Sequence, residues 1–80
     1  MLYITALGQV IAAEDCLKKG QELTANRSYE EAIMAYDIAI QMNPENVRAW
    51  YDKGNTLKAL GCTTEADAAF AKARELEYKG

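Results

Sequence analysis

The chain has 80 residues, and its 9 Lys and Arg against 12 Asp and Glu give a formal net charge of −3. A chain of this length forms one small domain, and without a basic cluster it lacks the usual means of binding nucleic-acid phosphates. It also lacks His, the commonest general base near neutral pH and the commonest metal ligand. We therefore predict no nucleic-acid partner, no metal and no cofactor.

The first segment, residues 1–12, is apolar. No basic residue precedes Lys18, unlike in a secretory signal peptide, and the segment is shorter than the roughly 20 residues that span a bilayer. We predict a cytoplasmic protein with no membrane partner. If helical, the segment carries an apolar stripe that includes Leu2, Ile4, Leu7, Val10 and Ile11. Three alternatives stay open for it: packing on or extending the first helix, a homodimer surface, or the start of a truncated longer array.

The remaining sequence predicts four helices, at 13–26, 29–42, 47–60 and 63–77. Three of them have candidate N-terminal caps, which are Ser28, Asn46, and Thr63 or Thr64. Pro44 ends the second helix. Gly61 suits a left-handed turn after the third helix, and Arg27, in the matching place after the first, adopts that turn at greater cost.

The sequence matches itself after a shift of 34 residues. The shift places Gly20 on Gly54, Leu23 on Leu57, Ala32 on Ala66, Tyr36 on Phe70 and Ala39 on Ala73. This period predicts an array of two similar helical hairpins. A mid-helix Gly costs about 0.8–1 kcal/mol relative to Ala, so we expect close helix packing at both glycines, beside Ala32 and Ala66. We expect the two aromatic residues to fill the space between neighbouring helices.

The two copies differ on their second helices. The shift turns Ile33, Ile38 and Ile40 into Asp67, Lys72 and Arg74. We expect the first set to face the following hairpin, whereas the charged set predicts a solvent-facing last helix and an array that ends near residue 78.

The stretches KGQELTANRSYEEAIMAYDIAIQMNPEN (19–46) and WYDKGNTLKALGCTTEADAAFAKA (50–73) resemble tetratricopeptide repeats. The positions that carry the resemblance are Gly20, Leu23, Ala32, Tyr36, Ala39 and Pro44 in the first unit and Trp50, Gly54, Leu57, Ala66, Phe70 and Ala73 in the second. The departures are Cys16 for a Trp, Lys19 and Lys53 for a Leu, and Arg27 for a Gly. The resemblance implies an all-α fold, with antiparallel hairpins at 13–46 and 47–80 stacked as a short right-handed superhelical array.

Members of this family bind peptides or helices in a groove lined by the first helix of each unit. By resemblance, the groove residues here are Leu17, Lys18, Gln21, Arg48, Tyr51, Asp52, Asn55 and Lys58. Arg48, Tyr51, Asn55 and Lys58 recur about one turn apart, and Tyr, Asn and Arg suit recognition of a peptide. A merely solvated helix face is the alternative. The family's clamp for a chaperone's C-terminal carboxylate is not carried over, because Asp52 would repel that group.

We predict no enzyme activity and no catalytic residues. The carboxylate pairs Glu14–Asp15, Glu30–Glu31 and Glu65 with Asp67 lie near predicted helix starts, where the helix dipole accounts for them. Cys16 and Cys62 belong to no metal-binding motif and are interpreted as packing thiols. The prediction is a protein–protein interaction module, and the alternative is a structural homo-oligomerisation module that uses the apolar N-terminal segment.

Overall fold

The computed structural model describes the backbone of residues 2–79 and the side chains of residues 13–79. This part of the chain is all-α and consists of α1 (Leu2–Ala25), α2 (Tyr29–Met42), α3 (Val47–Ala59) and α4 (Thr63–Lys79). Helices α1 and α2 form one antiparallel hairpin, α3 and α4 form the second, and α2 packs against α3 to join them. The predicted all-α array of helical hairpins is confirmed.

Helix α1 is much longer than its counterpart α3, with 24 residues against 13. Its backbone is helical from Leu2, so residues 2–12 extend the first helix of the hairpin. The side chains of the predicted apolar stripe in this segment lie outside the described residues. Glu14 and Asp15 fall in the middle of α1, so our dipole explanation for this pair was wrong, because the dipole acts within the first turn of a helix.

The turns inside the two hairpins are built alike, and their hydrogen bonds repeat with the 34-residue period. The Ser28 amide donates to the Leu23 carbonyl (2.8 Å), and the Cys62 amide donates to the Leu57 carbonyl (2.9 Å). Each turn has one left-handed residue, Arg27 with φ 65° or Gly61 with φ 88°. This pattern satisfies carbonyls at the helix end. Arg27 therefore adopts the turn that Gly adopts at lower cost.

The predicted N-terminal caps agree with the structure at one helix. Asn46 precedes α3, and its side chain accepts a hydrogen bond from the Ala49 amide at 3.2 Å. Ser28 precedes α2, but its side chain makes no capping hydrogen bond. Helix α4 begins at Thr63, so Cys62 and neither threonine occupies the position before it, and the prediction of Thr63 or Thr64 as the cap was wrong.

An aromatic ring packs closely against each of the two mid-helix glycines. A Cβ atom added at Gly20 would lie 2.5 Å from Cε1 of Tyr36, and one added at Gly54 would lie 2.6 Å from Cε1 of Phe70. Close packing at both glycines agrees with the prediction. The nearest neighbours, however, are these rings, where we had expected alanines, because a missing methyl group leaves room for a ring.

The interior consists mainly of alanines, which let the helices approach closely. Ile33 on α2 packs against a cluster of Leu57, Ala66 and Ala69 in the second hairpin, as expected for a residue between units. Ile40 is half-buried. Ile38 was wrongly placed in this set, since its side chain is 42% exposed.

The face of α4 that carries the charged replacements is largely solvent-exposed, as predicted. Asp67 and Arg74 are exposed, while Lys72 is half-buried and lies 3.5 Å from a carboxylate oxygen of Glu75. Phe70 is half-buried, whereas Tyr36, its counterpart in the first hairpin, is 1% exposed. This difference arises because α3 lies beside the first hairpin.

Candidate functional site

The first helices of the two hairpins, α1 and α3, meet at one surface, which we call the α1–α3 surface and define by Gln21, Arg48 and Asp52. The Gln21 Nε2 atom donates a hydrogen bond to Oδ2 of Asp52 at 2.9 Å, across 31 residues of sequence. Arg48 Nε lies 3.8 Å from the same oxygen, one helical turn away on α3. Three of the eight predicted site residues are therefore in direct contact.

Asp52 is the most enclosed charged group at this surface, with a side chain 17% exposed against 70% for Arg48. Its backbone carbonyl accepts a hydrogen bond from the Thr56 hydroxyl at 2.9 Å. Both side-chain contacts made by the described residues go to Oδ2, while Oδ1 accepts no hydrogen bond from them. Oδ2 is therefore held in place by its contacts, and Oδ1 retains the capacity to accept hydrogen bonds.

A hydroxyl network lies beneath the α1–α3 surface and joins three helices. Thr24 Oγ1 lies 2.9 Å from the Tyr36 hydroxyl and 3.1 Å from Thr56 Oγ1. Thr24 also donates to the Gly20 carbonyl, and Thr56 donates to the Asp52 carbonyl. Three hydroxyl protons serve four contacts, so at most three hydrogen bonds form at once. When Thr24 donates to Gly20, the Tyr36 hydroxyl donates to Thr24.

Burial raises the pKa of the Tyr36 hydroxyl within this network. Hydrogen bonding with Thr24 lowers this pKa, and the nearby negative charge of Asp52 raises it. The neutral phenol is therefore the form that the fold favours.

Tyr51 lies on α3 but its side chain contacts α4. Its hydroxyl donates to Oε1 of Glu77 at 2.9 Å, and its ring lies 6.0 Å from that of Phe70, measured between centroids. The hydrogen bond to Glu77 raises the pKa of Tyr51. Since its one proton is used within the chain, Tyr51 can offer a ligand only its ring and an acceptor oxygen.

The remaining predicted site residues are less constrained. Lys18, Asn55 and Lys58 are exposed, and Leu17 is half-buried. The described side chains form no hydrogen bond or ion pair with the three exposed residues. Gln21 and Arg48 therefore both contact Asp52. Lys18, Asn55 and Lys58 are exposed to solvent, and the Tyr51 side chain contacts α4.

The sequence analysis did not identify Thr24 and Thr56. Their signal was present, because Thr24 lies one helical turn after Gly20 and thus on the face that meets Tyr36. A buried Tyr hydroxyl requires a partner. The 34-residue shift replaces these threonines with Lys58 and Glu22, so the repeat pattern did not mark them.

Other surfaces offer little chemistry. Three concavities in the described part of the chain lie away from the α1–α3 surface. One of about 610 Å³ is lined by the α2–α3 turn and α4, one of about 330 Å³ lies between α3 and α4, and one of about 170 Å³ lies beside the α1–α2 turn. The described residues contain no group of three His, Cys, Asp or Glu side chains able to hold a metal ion. Within the same residues, no helix is both long enough and apolar enough to cross a membrane.

Comparison with known families agrees with this architecture. A family model described as "TPR repeat" matches residues 20–61, and another described as "Tetratricopeptide repeat" matches residues 47–79. The chain belongs to the tetratricopeptide repeat family. Tetratricopeptide repeats generally mediate protein–protein interaction and are typically non-catalytic.

A curated relative matches most of the chain. It is the uncharacterized protein MJ0572 of Methanocaldococcus jannaschii, which is 34% identical over 65 residues. The match covers 81% of this chain and 76% of the relative. This similarity extends over both repeats, and the relative's name states no activity.

Proposed function

We propose that this tetratricopeptide repeat protein binds a peptide or helical segment of a partner protein in a groove lined by α1 and α3. The hydrogen bond between Gln21 and Asp52 carries this proposal, because it joins the first helices of both repeats and allows one ligand to contact both. Exposed Lys18, Asn55 and Lys58 lie on the same two helices and add hydrogen-bonding capacity.

Preorganisation supports binding at this location. The α1–α3 surface rests on the hydroxyl network of Thr24, Tyr36 and Thr56, so its backbone is fixed before a ligand arrives. A rigid surface lowers the entropic cost of association. Tyr51 contributes through its ring and its acceptor oxygen, while its proton holds Glu77.

The test is capture of partners from native lysate by the full chain, followed by mass spectrometry and by titration of the identified partner. Asn55→Ala and Lys58→Ala should each weaken binding by about threefold to tenfold, as expected for loss of a polar contact. Asn26→Ala is the matched control, because Asn26 is an exposed residue in the α1–α2 turn. Equal affinity of all three variants for the partner would contradict the proposal.

A second candidate is a homo-oligomerisation module that uses residues 2–12. The observation that favours it is the length of α1, whose 24 residues extend about 36 Å, whereas the 14 residues of α2 can run beside only about 21 Å of it. Leu2, Ile4, Leu7, Val10 and Ile11 belong to this extension.

Sedimentation velocity tests this second candidate. Leu7→Asp should convert a dimer to a monomer, while Gln9→Asp, which helical spacing places across the helix from Ile4, Leu7 and Ile11, should leave a dimer intact. A wild-type protein that is monomeric at high concentration would exclude homo-oligomerisation.

We also infer a cytoplasmic location, which the free thiols of Cys16 and Cys62 support, since thiols stay reduced in that compartment. Cell fractionation with an antibody against the chain tests this inference, and recovery in an extracellular fraction would contradict it.

A further inference from the structure

The chemistry of the α1–α3 surface indicates what kind of segment it accepts. Asp52 is a carboxylate that lies mostly out of solvent, and only one of its two oxygens accepts a hydrogen bond from a described side chain. A carboxylate ion offers about four lone-pair positions, and a partly buried one gains from each additional donor. Oδ1 therefore favours a ligand that carries N–H groups.

Gln21 adds a hydrogen-bond acceptor beside Asp52 on the same surface. Gln21 directs its Nε2 to Asp52, so the amide oxygen of Gln21 is available as an acceptor. Burial is the main cause of the raised pKa of Tyr36 in the interior, and the negative charge of Asp52 adds to it.

Among the described side chains, Arg48 is the one cation paired with Asp52, and its contact is weak. The distance from Nε to Oδ2 is 3.8 Å, and the Arg48 side chain is 70% exposed, so this pair supplies little stabilisation. A cation from a ligand can bind Oδ1 without displacing the hydrogen bond from Gln21.

We propose that the partner segment carries a Lys or Arg side chain that binds Oδ1 of Asp52 between α1 and α3. This inference rests on the proposed function and specifies its partner as a basic peptide. An acidic segment held by Arg48 is the opposite choice, and one variant separates the two. Removing the Arg48 charge strengthens binding of a basic peptide, because it removes a competing cation, and weakens binding of an acidic one.

The experiment uses the full chain and a displayed library of random 12-residue peptides as the probe. Peptides that bind the wild-type protein are synthesised, and their Kd values are measured by calorimetry with wild type, Asp52→Asn and Arg48→Gln. Asp67→Asn is the matched control, because it removes an exposed carboxylate on α4. Amide chemical shifts of Gln21 and Asn55 show whether each peptide binds at the α1–α3 surface.

We expect the selected peptides to share one Lys or Arg. Changing that peptide residue to an uncharged isostere should raise the Kd about tenfold when the protein is wild type or the Asp67→Asn control. The same peptide change should raise the Kd by less than about twofold when the protein is Asp52→Asn. Arg48→Gln should bind the basic peptide more tightly than wild type. If Asp52→Asn does not fold, Arg48→Gln and the peptide variants still decide the question.

Two results would overturn the inference, and they differ in meaning. Peptides that bind at the α1–α3 surface without a basic residue, or that need Arg48 and an acidic residue, would exclude the basic partner and leave peptide binding intact. A library from which no peptide shifts Gln21 or Asn55 would contradict both this inference and the proposed function.

Discussion

Replacement of the two mid-helix glycines by Ala tests how each repeat holds its aromatic ring. The added Cβ would lie 2.5 and 2.7 Å from Cε1 and Cδ1 of Tyr36 at Gly20, and 2.6 and 2.8 Å from those atoms of Phe70 at Gly54. The overlaps are nearly equal, so any difference in stability reports how easily each ring can move. Overpacking costs about 1–3 kcal/mol, while Gly to Ala gains about 0.8–1 kcal/mol in helix propensity.

The two rings differ in how the fold holds them. Tyr36 is 1% exposed and its hydroxyl is hydrogen-bonded to Thr24, so it cannot shift without breaking that bond. Phe70 is half-buried and has no polar group to hold it. We therefore expect Gly20→Ala to lower the free energy of unfolding by about 1–2 kcal/mol and Gly54→Ala by about 0–1 kcal/mol.

Urea denaturation followed by far-UV circular dichroism measures both values. Gly61→Ala is the control, because nothing lies near its added Cβ and its cost comes only from φ 88°, at about 1 kcal/mol. A second check combines Gly20→Ala with Tyr36→Leu, which should destabilise less than the sum of the two changes. A Gly20→Ala protein as stable as wild type, or more stable than Gly54→Ala, would refute the reasoning.

Three further changes test the turns, the network and the helix caps. Arg27→Gly should raise the free energy of unfolding by about 0.5–1 kcal/mol, because Gly adopts the left-handed turn without strain; a less stable variant in urea denaturation would contradict this. Tyr36→Phe should cost about 0.5–1.5 kcal/mol near neutral pH through loss of the hydrogen bond to Thr24. Because the fold raises the pKa of Tyr36, the stability that its neutral hydroxyl contributes is complete below about pH 10 and is lost as pH rises through the folded-state pKa. The free energy of unfolding should therefore fall less steeply with pH in alkali for Tyr36→Phe than for the wild type. Asn46→Ala should cost about 1 kcal/mol through loss of the cap on the Ala49 amide, and an unchanged thermal midpoint would show that this hydrogen bond contributes nothing.

Most of the fold could be predicted from the sequence, because the same packing pattern occurs in both copies of the repeat. Gly20 with Gly54 and Tyr36 with Phe70 are pairs whose sizes make sense only if the same packing occurs in both units. The turn hydrogen bonds repeat with the same period, even though Arg27 replaces the expected Gly. Local sequence was a weaker guide to helix ends, since backbone amides at a helix start can be satisfied by water.

The candidate site was less predictable than the fold. The family resemblance placed Gln21, Arg48 and Asp52 in one groove, but it could not show that Gln21 bonds to Asp52, because that contact depends on how closely α1 approaches α3. Tyr51 was predicted beside them, and the position of α4 turned its hydroxyl to Glu77.

The sequence by itself determined the number of repeats, the helical hairpin and the residues that must be small, because these follow from size and period along one chain. Tertiary structure decided which polar side chains meet. Hydrogen bonds and charge contacts form within about 3 to 4 Å, a distance set by the packing of neighbouring helices. Between two such repeats, that packing brings the Gln21 amide and the Arg48 guanidinium to one oxygen of Asp52.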